Sequence, residues 1–441
     1  MALGGGTWLV QNKVLPGSYI NFSSIAKASA TLSDRGYAAA PFELSWGPEN
    51  EVFAVTSGEF QKNSKAIFGY PYDHPKMLVL REIFLHATTV YCYRLGLGAV
   101  KATNDHASAK YPGVRGNDIT ITIAPNVDNP DQWDVGTVLD GIKVDTQTVA
   151  SAKELTSNDY VDFNSNTELE ATVGMPLNGG ADADGVTGDS HQAFLDKIEP
   201  YAFNAMCCPA ADPTIVKLYA TYTERMRDEV GAKFQLVAWQ PSTVDYEGVI
   251  GAWNTATHPT IEDVDEQAVV YWLTGIEAGV AVNKSLTNAK YDGELILDTE
   301  LTQVELTAAI KAGKLMFHNV NGTTRILEDI NTLLTLTDTK GEVFQSNQTM
   351  RVCDQMANDI AVLFNERYVG VVPNDASGRS TLWGDITHYI GELEKIRAVE
   401  NFDPDTVTCE QGDKKKAVLV IVNGLNVVNA MAQLYMSVII Q

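Results

Sequence analysis

The chain has 441 residues, 45% of them hydrophobic and 20% charged, which excludes a disordered polymer and calls for roughly two to four folded domains. Its 56 acidic and 32 basic residues leave a formal charge of −24, which argues against nucleic-acid phosphates and anionic membranes as direct partners. The five cysteines (Cys92, Cys207, Cys208, Cys353 and Cys409) form no CxxC pair, no run is long enough to cross a bilayer, and the opening residues lack a signal-peptide pattern, so a reducing cytoplasm is the expected setting.

Residues 1–30 combine Gly4, Gly5 and Gly6, a Pro16-Gly17 turn and a short apolar segment at 18–22, without helical periodicity. This predicts an extended arm. From about residue 31 the strand-like runs GYAAAPFEL and EVFAV lead to a helix opened by Pro75, with Leu78, Ile83, Phe84 and Ala87 on one face. Asp73 is expected at its N-terminus, where a carboxylate suits the helix dipole. The strand TTVYCYRLG completes a β-α-β pattern. Residues 99–180 then alternate strand runs (ITITIAP, GIKVDTQTVA, YVDF) with Asn, Asp, Pro and Gly clusters, and show no amphipathic helix. They read as a β-rich insertion that exits through the loop NGGADADGVTGD.

Helix and strand alternate again beyond the insertion. Ile215, Leu218, Tyr219, Tyr222, Met226 and Val230 keep helical spacing, and Gly231 stands where a cap belongs. The strand KFQLVAW follows. Thr302 and Glu305 form a capping box, Gly313 closes that helix, and Asn321-Gly322 predicts a type I′ hairpin. Two further helices carry Met350, Cys353, Met356, Ile360, Leu363 and Phe364, then Leu382, Ile386, Ile390 and Leu393. The chain finishes with TVTCE, a GDKKK turn bearing the basic run Lys414, Lys415 and Lys416, the strand AVLVIV, and the apolar run AMAQLYMSVIIQ. Such a terminal strand either folds into its own body or adds to the sheet of a neighbouring copy, because an uncovered edge recruits other chains.

The search for chemistry returns no Walker A, HExxH or GxSxG sequence. Gly96 and Gly98 begin a dinucleotide-like GxG, but Lys101 occupies the third glycine's place. Asp182, Asp184 and Asp189 miss the spacing of a calcium loop, and no histidine pairs with another His or Cys at metal-ligand spacing. Asp105 and His106 are merely adjacent. No catalytic, cofactor or metal site is expected. The competing reading, a cytosolic α/β enzyme with a β insertion, would have to draw on Asp105, His106 or Asp182.

Several segments resemble, in order, the contractile tail sheath proteins of bacteriophages. AKYPGVRGNDITI (109–121) is similar to the entry of their inserted domain, KVDTQTVASAKEL (143–155) to its end, and LNGGADADG (177–185) to the return loop. DYEGVIGAWN (245–254) and, most specifically, GIEAGVAVNKSLTNAKYDGE (275–294) resemble the core. LPGSYINF and MAQLYMSVIIQ are similar to the family's two terminal arms, and the closest type is that of Gram-positive phages, prophages and phage-tail-like bacteriocins.

The resemblance implies an α/β and α+β multidomain chain with an arm at 1–30, a mixed α/β core at 31–98 and 181–330, an inserted β-rich domain at 99–180, and a helical-plus-hairpin region at 331–441 ending in an extended arm. It implies a non-enzymatic subunit that polymerises with other sheath subunits around an inner tail tube, meets baseplate and tail terminator proteins, and contracts to drive the tube through a bacterial envelope. The particle would be a virion tail, a prophage or bacteriocin particle, or another contractile injection device, assembled in the host cytoplasm without nucleic acid, membrane or cofactor. The donated pieces would be Val14, Leu15, Tyr19, Ile20 and Phe22 in one arm and Leu434, Tyr435, Met436, Val438, Ile439 and Ile440 in the other. The receiving hairpin would use Val407, Cys409, Val418, Val420 and Val422, with Asn423-Gly424 and the arm glycines as flexible joints. The helix around 382–399 or the Lys414 to Lys416 turn would face the tube.

Overall fold

Small side chains dominate β1 (Tyr37–Phe42) because it runs through the middle of a six-stranded sheet with helices on both faces. In the computed structural model, which describes residues 32–440, the chain passes from β1 through β2 (Val52–Thr56), α1 (Ser57–Phe68) and α2 (Leu78–Phe84) to β3 (Thr89–Arg94). Strand β3 pairs in parallel with β1 and antiparallel with β2, which forms the sheet edge. Helix α1 was not expected from periodicity, since only Phe60, Ser64 and Phe68 are buried on its inner face. Its signal is a capping box: the Glu59 amide donates to Thr56 Oγ1 at 3.3 Å, the Glu59 carboxylate accepts from the Thr56 amide at 2.9 Å, and left-handed Gly69 ends the helix. Before α2, His74 rather than Asp73 is the capping residue, its Nδ1 accepting from the Lys76 amide at 3.2 Å.

The segment that follows contains β4 (Ala107–Ala109), β5 (Ile119–Pro125), β6 (Trp133–Leu139), β7 (Ile142–Val149), β8 (Val161–Phe163) and β9 (Thr172–Pro176). Strands β7, β6, β5 and β9 form an antiparallel sheet in that order, and β4 pairs with β8. Ile119, Ile121 and Ile123 alternate inward on β5 and pack with Val135, Leu139 and Val149, the period-two pattern of a sheet buried on one side. Arg115 ties this sheet to the helical layer, with bidentate bonds of 2.8 and 2.7 Å to Asp140 and one of 2.8 Å to the Gly69 carbonyl.

The main sheet resumes after α3 (Gly188–Ile198) with β10 (Ala205–Cys208), α4 (Pro213–Arg225), a π turn (Met226–Val230) ended by left-handed Gly231, then β11 (Gln235–Trp239) and β12 (Val249–Ala252). These strands extend the sheet in parallel from β1, giving the order β12-β11-β10-β1-β3-β2. Helix α5 (Val269–Gly279) is apolar almost all round and lies within the core cluster on one sheet face, with Phe42, Val90, Val237 and Ile250. Strands β13 (Ala256–Thr257) and β14 (Ile296–Leu297), helix α6 (Gln303–Lys311) and the hairpin of β15 (Phe317–Val320) with β16 (Thr323–Ile326) follow. Asn321 and Gly322 have φ of 50° and 78°, as a type I′ turn requires.

The remaining elements are α7 (Asn347–Arg367), α8 (Ala376–Lys395), β17 (Val399–Glu400), β18 (Val407–Gln411), β19 (Val418–Val422) and β20 (Asn426–Val427). The larger of two compact units comprises Ser33–Asn358, Ile396–Glu400 and Asn426–Gln441. The smaller contains Asp359–Lys395 and Asn401–Leu425, so that α7 contributes its first half to the larger unit and its second half to the smaller. Val14, Leu15, Tyr19, Ile20 and Phe22 lie outside the described residues.

Candidate functional site

Helix α8 buries Leu382, Ile386, Tyr389, Ile390 and Leu393, a stripe at helical spacing that forms the core of the smaller unit. The Tyr389 hydroxyl donates to Asp359 at 2.7 Å, and burial together with that carboxylate pushes the phenol's pKa up. Tyr368 donates to Asp385, which also receives Arg367 at 3.0 Å. Against this support lies the β18–β19 hairpin, whose register pairs Val407 with Val422, Cys409 with Val420 and Gln411 with Val418. Its turn is pinned by the Asn374 amide, which donates to the carbonyls of Lys415 (3.0 Å) and Ala417 (2.8 Å).

Residues directly opposite in an antiparallel pair share a face. Val407, Cys409, Val418, Val420 and Val422 therefore lie together on the buried or half-buried face, while Thr408, Glu410, Leu419 and Ile421 form the outer one. Burial raises the Cys409 thiol's pKa. Leu419 and Ile421 are exposed apolar positions that the sequence reading did not single out; the strict alternation of VLVIV carried no polar residue to mark the outer face.

Backbone directions follow from two bonds flanking the ladder. Gly412 N–H donates to Ala417 O at 2.9 Å and Asn423 N–H to Thr406 O at 3.4 Å. Counting inward from both ends, the hydrogen-bonded pairs are Glu410 with Leu419 and Thr408 with Ile421. The backbone groups of Val418, Val420 and Val422 consequently point away from β18, and among the described residues they have no hydrogen-bond partner. The opposite edge is partly occupied, because the Trp383 indole N–H donates to Val407 O at 3.0 Å. Among the described residues the hairpin thus presents one open strand edge, that of β19.

The terminal apolar run, at the end of the larger unit, is exposed along its length. Leu434 is 85% exposed and Ile440 90%, with Tyr435, Met436, Val438 and Ile439 similarly bare. Residues 428–440 form no strand, and among the described residues the sole hydrogen bond beyond Ala430 is internal, from the Tyr435 hydroxyl to Gln433 at 2.7 Å. Seven residues of β-prone apolar sequence, 434–440, lack a sheet of their own.

Asp182, one of the residues an enzyme would draw on, is employed in loop contacts. Asp182 accepts the Val114 amide at 3.0 Å and the Ser45 hydroxyl at 2.9 Å, and lies 3.6 Å from Arg94, so it buckles loops together. Arg94 in turn donates to the Gly47 and Pro112 carbonyls. Both line a cavity of about 420 Å³ beyond the carboxyl ends of β1 and β3, where α/β sheets often hold ligands, but their charges are already spent on the loops. Among the described residues no group of three His, Cys, Asp or Glu is placed to hold a metal ion.

Comparison with known proteins bears on the whole length described. Residues 35–95 match the family model for the tail sheath protein Gp18 domain III N-terminal region, 96–182 the phage tail sheath protein beta-sandwich domain, 184–332 the phage tail sheath protein central domain, and 339–441 the phage tail sheath C-terminal domain. The chain is 30% identical over 452 aligned positions to the phage-like element PBSX protein XkdK of Bacillus subtilis, covering 95% of this chain and 96% of that one. It is similar to the crystal structures of a sheath tail protein from Desulfitobacterium hafniense (32% identity, TM-score 0.77, 90% and 93% covered) and of one from Listeria innocua (29%, 0.80, 92% and 95%).

Proposed function

The chain belongs to the phage tail sheath protein family and is a structural subunit of a contractile sheath, and from that premise we propose that it polymerises by lending its terminal run to the β19 edge of another copy. The observation that carries this is complementary: an unpaired apolar segment and an open strand edge in the same chain. Neither satisfies its backbone alone, and adding a strand satisfies both at once.

Side-chain pattern selects the orientation of the added strand. Leu434, Met436, Val438 and Ile440 are uniformly apolar, whereas the alternate set, Tyr435, Ser437 and Ile439, is mixed. We assign the first set to the α8 side, beside Val418, Val420 and Val422, and the second to the outer face, beside Leu419 and Ile421. A slip of one residue would exchange the sets, so register is specified. The other donated piece is the arm carrying Val14, Leu15, Tyr19, Ile20 and Phe22. A contact made at one end to a different patch of the next copy, where its rotation does not close into a ring, builds a filament. The polymer surrounds an inner tail tube between a baseplate and a tail terminator, in a phage, prophage or bacteriocin particle put together in the host cytoplasm. Contraction repacks subunits while the ladder bonds persist, a task with no need of a catalytic residue.

Val420→Pro tests the open edge. Proline there removes an outward N–H and no bond of the β18–β19 ladder, so the folded subunit should survive. Electron microscopy should find wild-type tubes or rings and none for the variant at equal concentration. Normal polymers of a correctly folded Val420→Pro chain would refute strand addition at β19.

A further inference from the structure

The first half of α7 is polar where a buried helix is ordinarily apolar. Gln348, Arg351 and Gln355 are 3%, 1% and 4% exposed, and their i, i+3, i+7 spacing puts them on one face. Each is matched to a distant segment of the larger unit. The Gln348 amide donates to Val428 O at 3.0 Å and Asn283 O at 3.1 Å, while its oxygen accepts the Ala430 amide at 2.9 Å. Asn429 is held beside it by Ser346 (3.2 Å) and Thr349 (3.3 Å). One helical turn onward, Arg351 pairs with Glu277 at 2.6 Å, with Asp329, and with the Lys284 carbonyl at 2.9 Å. Glu277 also lies 3.7 Å from Arg35, whose guanidinium donates to the Glu277 and Val280 carbonyls at 2.8 Å each. Two turns on, Gln355 donates to Ser33 Oγ at 2.5 Å and to its carbonyl at 3.3 Å.

The two places where the chain's ends join the larger unit, residues 33–35 and 428–430, are therefore fastened to a single buried helix face. Burying long polar side chains is costly unless they are bonded; the amides of Gln348 and Gln355 are, whereas Arg351 Nε and Glu277 Oε1 already lack a hydrogen-bond partner among the described residues, so breaking further bonds here is unfavourable. We propose that this face of α7 is a common anchorage for both arms, with Gln348 holding the root of the terminal run and Gln355, backed by the Arg35–Glu277–Arg351 cluster, holding the root of the other arm. The separation of the two roots is then fixed within the subunit, whatever the arms do beyond them. Freedom for the terminal run begins after Ala430, in residues 431–433, and not at Asn423-Gly424, which precedes the anchor and where Asn423 is bonded to Thr406. The inference rests on the strand-donation reading only for what the anchored arms do next.

Hydrogen exchange followed by mass spectrometry on the full-length, unassembled subunit tests it without involving the polymer. Gln348→Met keeps volume and loses the bonds; exchange in a peptide spanning 428–431 should rise at least tenfold while one spanning 33–37 is unchanged. Gln355→Met should give the converse. If Gln348→Met does not fold, Gln348→Glu, which retains the acceptor but loses both donors, should still raise exchange at 428–431 about threefold. Equal acceleration of both peptides by either variant, or of neither, overturns separate anchoring on one face. Failure of strand donation would instead appear as tubes formed by Val420→Pro with these exchange rates intact.

Discussion

Glu82 is a buried acid whose surroundings are specified by distant residues. It is fully buried on α2, accepts the Tyr291 hydroxyl and the Glu294 amide at 2.6 Å each, and among the described residues has no cation of its own, Arg81 turning to Glu294 instead. Burial pushes its carboxyl up to about 7 from 4.5. Between those two values Glu82 in the folded state keeps a proton that the unfolded chain has released, so stability falls as pH rises. Its contribution is complete below about pH 4.5, declines as pH rises, and is gone above about pH 7, a change of about 3 kcal/mol at most. Glu82→Gln should flatten the fall in melting temperature between pH 5 and pH 8 relative to wild type. Parallel pH profiles of the two proteins would exclude Glu82 as the source. The same contact constrains residues 291–294. Gly293 is needed because a Cβ would stand 2.2 Å from the Glu82 carboxylate, and Tyr291 because its hydroxyl serves Glu82 and the Leu295 amide together. None of this was legible locally, since the partner lies over two hundred positions away in sequence.

Elements were legible where a period or a turn signature was strong. The helix of α4, the capping box at Thr302 and Glu305 and the Asn321-Gly322 hairpin formed as their residues dictated, except that the α-helix gives way at Met226 to the π turn ended by Gly231 and leaves Val230 exposed. Helices α1 and α3 were missed because their buried faces hold few large apolar residues and their surest marks are caps. Helix α5 shows a third situation, in which an element is packed more closely than its composition indicates. A Cβ on Gly275 would lie 2.3 Å from the Ile83 carbonyl, and one on Gly279 2.2 Å from that of His86. Backbone touches backbone there, so neither neighbour can give way as a flexible side chain would. Gly275→Ala gains helix propensity yet should lose about 3 kcal/mol by overpacking, and calorimetry should record a clearly lower melting temperature. An unchanged or higher value would mean that α5 can shift away from α2 at little cost. The β18–β19 hairpin was likewise legible as two strands and a turn, but its open edge depends on which backbone groups face outward, a matter of register that composition does not encode.

At the scale of the molecule, the terminal run separates folding from assembly. A strand belonging to its own sheet would lose ladder bonds and buried area on removal, and the subunit would unfold more easily. Here residues 434–440 bury little and bond to nothing in the larger unit, so deleting them should shift the melting temperature of the free subunit by less than about 1 °C. The same deletion should abolish polymers. Charge offers the rival explanation for any failure to assemble, because copies carrying −24 each repel one another at low ionic strength. Salt distinguishes the two. Raising it from about 0.05 to 0.5 M shrinks the screening length several-fold and should relieve repulsion between subunits without creating a strand. Full-length chain should therefore change its assembly with salt, as tube counts by electron microscopy would record, while the truncated chain should remain unassembled throughout. Tubes of truncated chain at high salt would mean that helix and side-chain contacts suffice for polymerisation, and that the exposed run is an accessory to the polymer rather than its link.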